Sequence, residues 1–209
     1  MVANVTEPRY QRRKEDRPAE ITEAAFATFI ENGYAGTRVE EVARRAGVSK
    51  GLLYLYFKTK EELFKSVVKN FVVPRLDALQ RTIDSADMTA EEFLRGPFLE
   101  FAKSIPGSPV GRIVRLLVAE GPKHPDLLQF YWDNVVSRGL AAIEGLIKKG
   151  VDSGEFKRSP ITDQPLLFIM PVVFSTIFDL LFADRDVATD TLIETQINLL
   201  IDTMKGQEQ

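Results

Sequence analysis

Residues 37–62, TRVEEVARRAGVSKGLLYLYFKTKEE, constrain the fold more than any other stretch, because three helix starts crowd into it. Thr37 with Glu40, and Thr59 with Glu62, have capping-box spacing. In each pair the hydroxyl can accept an amide hydrogen three residues on, while the carboxylate reaches back. Between them, Ala46-Gly47-Val48-Ser49 reads as a turn: Gly47 suits a positive φ after one short helix, and Ser49 suits the N-cap of the next. Two short helices joined by such a turn form a helix-turn-helix.

The apolar spacing supports this arrangement. Val39, Val42, Ala43 and Ala46 share one face of the first helix, and Val48 points inward from the turn. Leu53 and Phe57, four apart, face back from the second helix. At 100° per residue the opposite side centres on Gly51 and Leu55, flanked by Leu52 and Tyr54, with Lys50 near its start and no carboxylate at all. A short exposed helix of this chemistry suits a DNA major groove.

AGVSKGLLYLYFKTKEELF resembles the DNA-binding signature of the TetR/AcrR family of bacterial transcriptional regulators, in which Gly47, Val48, Ser49, Tyr54, Phe57, Lys60 and Leu63 hold pattern positions. The resemblance is strong over residues 18–64 and weaker around 116–156. Tyr56 stands where the family often has His. The resemblance implies a homodimer that binds operator DNA and releases it when a small molecule enters a second domain, with the last two helices pairing with their copies.

The rest of the chain reads as helices. Residues 1–60 carry 11 Lys+Arg against 8 Asp+Glu, and residues 61–209 carry 16 against 22, so a mildly basic head precedes an acidic body. Residues 1–16, with Arg9, Arg12, Arg13 and Lys14, read as a mobile basic arm: a solvated tail, or one that follows phosphates or a minor groove. Pro18 suits the first turn of a helix that Asn32-Gly33 ends, and Tyr34 plugs the head's core. A long helix opens at Lys60, and Pro74 predicts a kink near 70–73. Further helices are expected from Thr89 (a capping box with Glu92), Ser108, Pro125 (running to Ser153), Thr162 and Asp186. No alternating run bounded by hairpin signals occurs, so the fold class is all-α. The domain reading is an arm over 1–16, a DNA-binding helix-turn-helix domain over 17–60, and a ligand-binding and dimerisation domain over 61–209.

Residues 165–183, PLLFIMPVVFSTIFDLLFA, approach bilayer-spanning length. Pro171, Ser175, Thr176, Asp179 and the polar flanks favour a helix buried in protein on every side. With the family's interface, helices 162–183 and 187–204 would pair through Val173, Ile177, Leu181, Ile193, Ile197 and Leu200. An apolar cavity among body helices is expected to use Phe98, Phe101, Phe130, Phe174 and Phe178, with Arg115, Trp132 and Tyr131 among the polar candidates.

No catalytic constellation is visible: there is one histidine, His124, no cysteine, and no HExxH, GxSxG or phosphate-loop motif. No enzyme, cofactor or metal is therefore expected, and the absence of cysteine is compatible with a reducing cytoplasm. The expected function is a ligand-responsive repressor released from a palindromic operator by a small apolar or amphipathic effector. Thr37, Ser49, Lys50, Tyr54 and Lys60 would hold phosphates, Gly51 would allow close backbone approach, and Leu55 and Tyr56 would touch base edges. The alternative is an all-helical small-molecule-binding protein whose head docks a protein partner.

Overall fold

The computed structural model describes residues 9–182, 184, 185 and 187–206, the side chains of 9–15 excepted. Every regular element among them is helical, and the protein is all-α. The chain divides into two compact units, Met1–Asn70 and Phe71–Gln209.

In the first unit, α1 (Arg9–Gly36) breaks at Gly33 (φ 71°), where the Asn32-Gly33 stop was expected. The helix begins at Arg9, not Pro18; the proline lies inside it. Residues 9–16 of the expected arm are therefore helical, and the side chains of Arg9, Arg12, Arg13 and Lys14, with residues 1–8, lie outside the described residues. Next come α2 (Val39–Arg45), α3 (Lys50–Tyr56) and α4 (Lys60–Phe71). Ile21, Ala25, Phe29, Val42, Ala43, Leu53, Leu63, Phe64 and Val68 form the core. Tyr34 fills it: its ring stacks on Phe29 at 5.6 Å and meets Phe64 edge-on at 5.8 Å. Burying these rings removes apolar area worth roughly 25 cal/mol per Å². Gly47 takes φ 65° in the α2–α3 turn, which only glycine adopts freely.

The capping pattern differs at two of the three starts, wholly at Thr37 and by half at Thr59. Ser49 caps α3 by accepting the Leu52 amide (3.1 Å), and Thr59 accepts the Glu62 amide (3.1 Å), with Glu62 reaching Lys58 N rather than its own cap. Thr37 caps nothing: Arg38 occupies the N-cap of α2, and the Thr37 hydroxyl turns back to donate to Gly33 O (2.7 Å) and lies 3.2 Å from Thr28 O.

The second unit opens with α5 (Val73–Ser85), after a break at Val72 beside Pro74 where a kink was expected. α6 (Ala90–Phe93) starts with the complete Thr89–Glu92 capping box and runs through a π-turn, Leu94–Phe98, into α7 (Leu99–Lys103). α8 (Pro109–Glu120) is capped by Ser108. α9 (Pro125–Tyr131) passes through a second π-turn, Trp132–Val136, into α10 (Ser137–Ser153), so the long helix expected over this span carries an extra-residue bulge. Residues around Thr162 form turns closed by its own hydroxyl on Ser159, and the next helix, α11, starts later than expected, at Leu166, and ends at Leu181. The last helix is α12 (Thr189–Lys205).

Phe93, Leu94, Phe98, Ile143, Ile147, Phe168, Ile193, Ile197 and Ile201 pack one core. Ile193 and Ile197 are 0% exposed, so they cannot serve as the dimer contacts expected of them, and Leu200 also packs against this core. The apolar face that α12 leaves outside belongs to Leu192 and Leu199. Nor is α11 buried all round: Phe168, Val172, Ser175 and Thr176 face in, while Leu166, Met170, Phe174 and Leu181 face out. Among the described residues no helix is long and apolar enough to cross a membrane.

Candidate nucleic-acid interface and ligand cavity

α3 buries Leu53 and turns the other side of its single pair of turns outward. Leu55 is 71% exposed, and a side chain at Gly51 would meet open space. Ser49 and Lys50 are exposed, and Tyr54 and Tyr56 are half-exposed beside them. The first turn of α3 contains no acidic residue, which suits an approaching phosphate. Lys50 Nζ lies 5.8 Å from the Tyr54 ring centroid.

Three expectations about this surface need correction. The face is not free of acid, because Glu40 on α2 pairs with Lys50. The Lys50 ammonium, through that hydrogen bond, holds Glu40 below the usual carboxylate range, and Glu40 in turn raises Lys50. Thr37 is 3% exposed with its hydroxyl committed to α1, so it offers a phosphate nothing. Lys60 is likewise committed. Its ammonium donates to Ala35 O (3.1 Å) and Thr37 O (3.2 Å) and sits 4.8 Å over the Tyr34 ring, satisfying carbonyls where α1 ends. Both residues position the helix-turn-helix from behind.

The second unit holds a cavity of ≈180 Å³. Val72, Leu76, Leu79, Phe98, Phe101, Ala102, Ile105, Val110, Val114, Val135, Ile143, Phe168 and Val172 make its wall almost wholly apolar, with Arg75 and Tyr131 the polar exceptions. Phe98 and Phe101 are where expected. Tyr131 lines it too, whereas Phe130, Phe174, Phe178, Arg115 and Trp132 do not. Phe174 is 55% exposed, and its ring meets Phe178, which meets Phe182, in a ladder along the outside of α11. Trp132 is 50% exposed, and Phe130 is absent from the lining. Arg115 is tied to Asp179 (3.7 Å) and to Pro106 O (3.2 Å) instead. Val173, expected at the dimer face, is on the edge of the cavity and also partly exposed.

Sequence reading missed both π-turns, and both contribute to the wall: Phe98 from the first, Val135 and Val136 from the second. The extra residue of a π-turn swings neighbouring side chains out of α-helical register, and such turns recur at functional sites. Gly96-Pro97 was the one visible hint, since proline inside a helix cannot donate to the ladder.

Residues 21–67 match the family model described as bacterial regulatory proteins, tetR family. The fatty acid metabolism regulator protein of Bacillus subtilis (strain 168) is 31% identical over 147 residues, covering 69% of this chain and 74% of that protein. The HTH-type transcriptional regulator RutR of Escherichia coli (strain K12) is 32% identical over 153 residues, covering 72% and 68%. Among solved structures, Bacillus subtilis FadR in complex with stearoyl-CoA superposes with TM-score 0.70 at 23% identity, covering 88% of this chain and 97% of that one. A TetR regulator from Haloarcula marismortui gives 0.75 at 16%, covering 91% and 98%. With its helix-turn-helix and its relatives agreeing, the chain belongs to the TetR family and is a DNA-binding transcriptional regulator.

Proposed function

We propose that two copies of this chain bind a palindromic operator, each setting the outer side of α3 in a major groove, and that an apolar-chain effector in the second unit's cavity releases them, so that the protein acts as a repressor in the bacterial cytoplasm. The observation that carries the DNA reading is the outward surface of α3: a bare Gly51 beside a Leu55 left 71% exposed. An exposed leucine in a groove gains contact with thymine methyls, and the missing side chain at Gly51 lets the backbone approach. Ser49, Lys50, Tyr54 and Tyr56 surround this centre as phosphate and base-edge contacts. DNA binding belongs to the unit ending at Asn70, and ligand binding and dimerisation to the other. No enzymatic step is assigned.

Two considerations support the effector class. The cavity wall is nearly all hydrocarbon, and the Bacillus subtilis relatives are named for fatty acid metabolism or carry stearoyl-CoA. Release requires the ligand to favour the non-binding conformer by a few kcal/mol, about 5.5 for a full reversal from 99:1 to 1:99. The test is selection of duplexes from a random pool at low salt. The expected product is a palindrome with half-sites about 10 base pairs apart, reading two grooves about 34–36 Å from each other. Leu55→Asp is expected to abolish its binding at an unchanged melting temperature. Enrichment of no sequence would reject the operator reading in favour of a head that docks a protein.

A further inference from the structure

Arg75 and Tyr131 break the pattern of the cavity wall. Arg75 stands near the start of α5, and Tyr131 is the last residue of α9, next to the second π-turn. Among the described residues neither side chain makes a hydrogen bond or an ion pair, and both line the same cavity. Of the lining, Arg75, Leu76, Tyr131 and Gly139 are half-exposed, as are Phe101 and Val114, whereas Phe98, Ala102, Ile143 and Phe168 are buried. Burial pushes the Tyr131 phenol well above its ordinary value, so it remains a neutral donor across the physiological range.

From this geometry we infer that the effector is an amphiphile whose apolar chain fills the buried side and whose anionic head, a group of two or more oxygens, is held at the mouth by the Arg75 guanidinium and the Tyr131 hydroxyl. The inference rests on the apolar-effector reading above and adds the head. A guanidinium presents parallel N–H donors matched to two oxygens of one carboxylate or phosphate, and the phenol supplies a further donor. A wholly neutral chain leaves both donors without an acceptor when it displaces water from the mouth, which opposes its binding. The carboxylate of a free fatty acid, the phosphate of an alkyl phosphate and the phosphates of a CoA thioester share this chemistry. They differ in where the anion sits relative to the chain: directly on it in the first two, beyond a thioester and a long linker in the third.

Calorimetry with dodecanoate, dodecyl phosphate, dodecanoyl-CoA and 1-dodecanol, each below its aggregation concentration, separates these cases in wild type, Arg75→Gln and Tyr131→Phe. The expected result is that wild type prefers an anionic ligand to the alcohol. Arg75→Gln then loses roughly ten- to a hundredfold for that ligand, as removal of a charge-assisted contact does, while dodecanol binding changes less than twofold. Tyr131→Phe, which deletes only the hydroxyl, shifts in the same direction by a smaller factor. The anion that suffers the largest loss identifies the head. Equal losses for anion and alcohol, or none for either, with both still bound, would overturn the head assignment and leave the apolar cavity standing. If wild type bound no chain compound, the apolar-effector reading would fall and this inference with it. Melting curves of the two variants check that any loss is not unfolding.

Discussion

Thr37 shows how one residue's role is decided by what its hydroxyl can reach. Its spacing from Glu40 is that of a capping box, yet Gly33, with its left-handed φ, turns the end of α1 so that Gly33 O and Thr28 O fall within its reach. A buried hydroxyl serving two carbonyls stabilises the fold more than an exposed cap would, because leaving those carbonyls dry costs their hydration. Thr37→Val is therefore expected to lower unfolding free energy by about 1–3 kcal/mol and to leave operator affinity per folded dimer unchanged; a selective loss of affinity in a mobility-shift titration would restore the phosphate role. Glu91 supplies a pH test. It pairs with Lys205 (2.7 Å) and Arg95 (2.9 Å), and Arg95 also reaches Asn198 and Asp202, which joins α6 to α12. The Lys205 contact foremost, then Arg95, hold Glu91 below the usual carboxylate range. A depressed folded value means the stabilisation is fully present above the unfolded value, about 4.3, and is lost as pH falls through the folded one. Glu91→Gln is expected to flatten the fall in melting temperature below about pH 4.3; a fall as steep as wild type's would show the pair adds nothing.

At the scale of elements, what was readable was local. Ser49 caps three residues away, the Thr89–Glu92 box closes within one turn, Gly47 takes its own positive φ, and Pro74 marks its own break, so each announces itself in a few letters. What was hidden depended on partners distant in the chain or on counting within a turn. The second π-turn lies in a stretch whose composition is ordinary for α-helix, and the first is marked only by Gly96-Pro97. The Lys50–Glu40 pair joins α2 to α3, and no inspection of α3 alone could reveal it. This pair carries a prediction for the α2–α3 motif as a unit. Both side chains are more than half exposed, so the pair itself adds little stability. In the proposed complex a phosphate would compete with Glu40 for the Lys50 ammonium, and the carboxylate would repel the DNA backbone. Glu40→Gln is expected to tighten operator binding, while Lys50→Gln weakens it and makes the slope of log K against log salt shallower by about 0.9, the share of one phosphate contact. Slopes identical in wild type and Lys50→Gln would show that Lys50 meets no phosphate.

For the whole molecule the question is which apolar surface a second copy would cover in the proposed dimer. α11 and α12 are apolar on several sides, so their sequences allow more than one choice of inner face, and the choice of Ile193 and Ile197 for the interface fell on the core. The packing leaves a different set outside. Leu166, Met170, Phe174 and Leu181 recur along α11 at spacings of four and seven, as Leu192 and Leu199 do along α12. Leu181 is 65% and Leu199 61% exposed, and large side chains ranked along two adjacent helices form the kind of patch that a monomer seldom leaves in water. An isologous pairing would cover both helices of each copy at once. Leu181→Asp with Leu199→Asp is expected to halve the sedimenting mass at micromolar concentration without lowering the melting temperature of the monomer below that of a folded domain. The same double variant should bind a single half-site but lose its preference for a palindrome, because the two α3 surfaces are no longer linked. Ile197→Ala is the contrast: it opens a cavity in the core, lowers stability by about 2–5 kcal/mol, and keeps the dimer. A double variant that still sedimented as a dimer would place the interface elsewhere, and an Ile197→Ala protein that dissociated without losing stability would return that residue to the contact between copies.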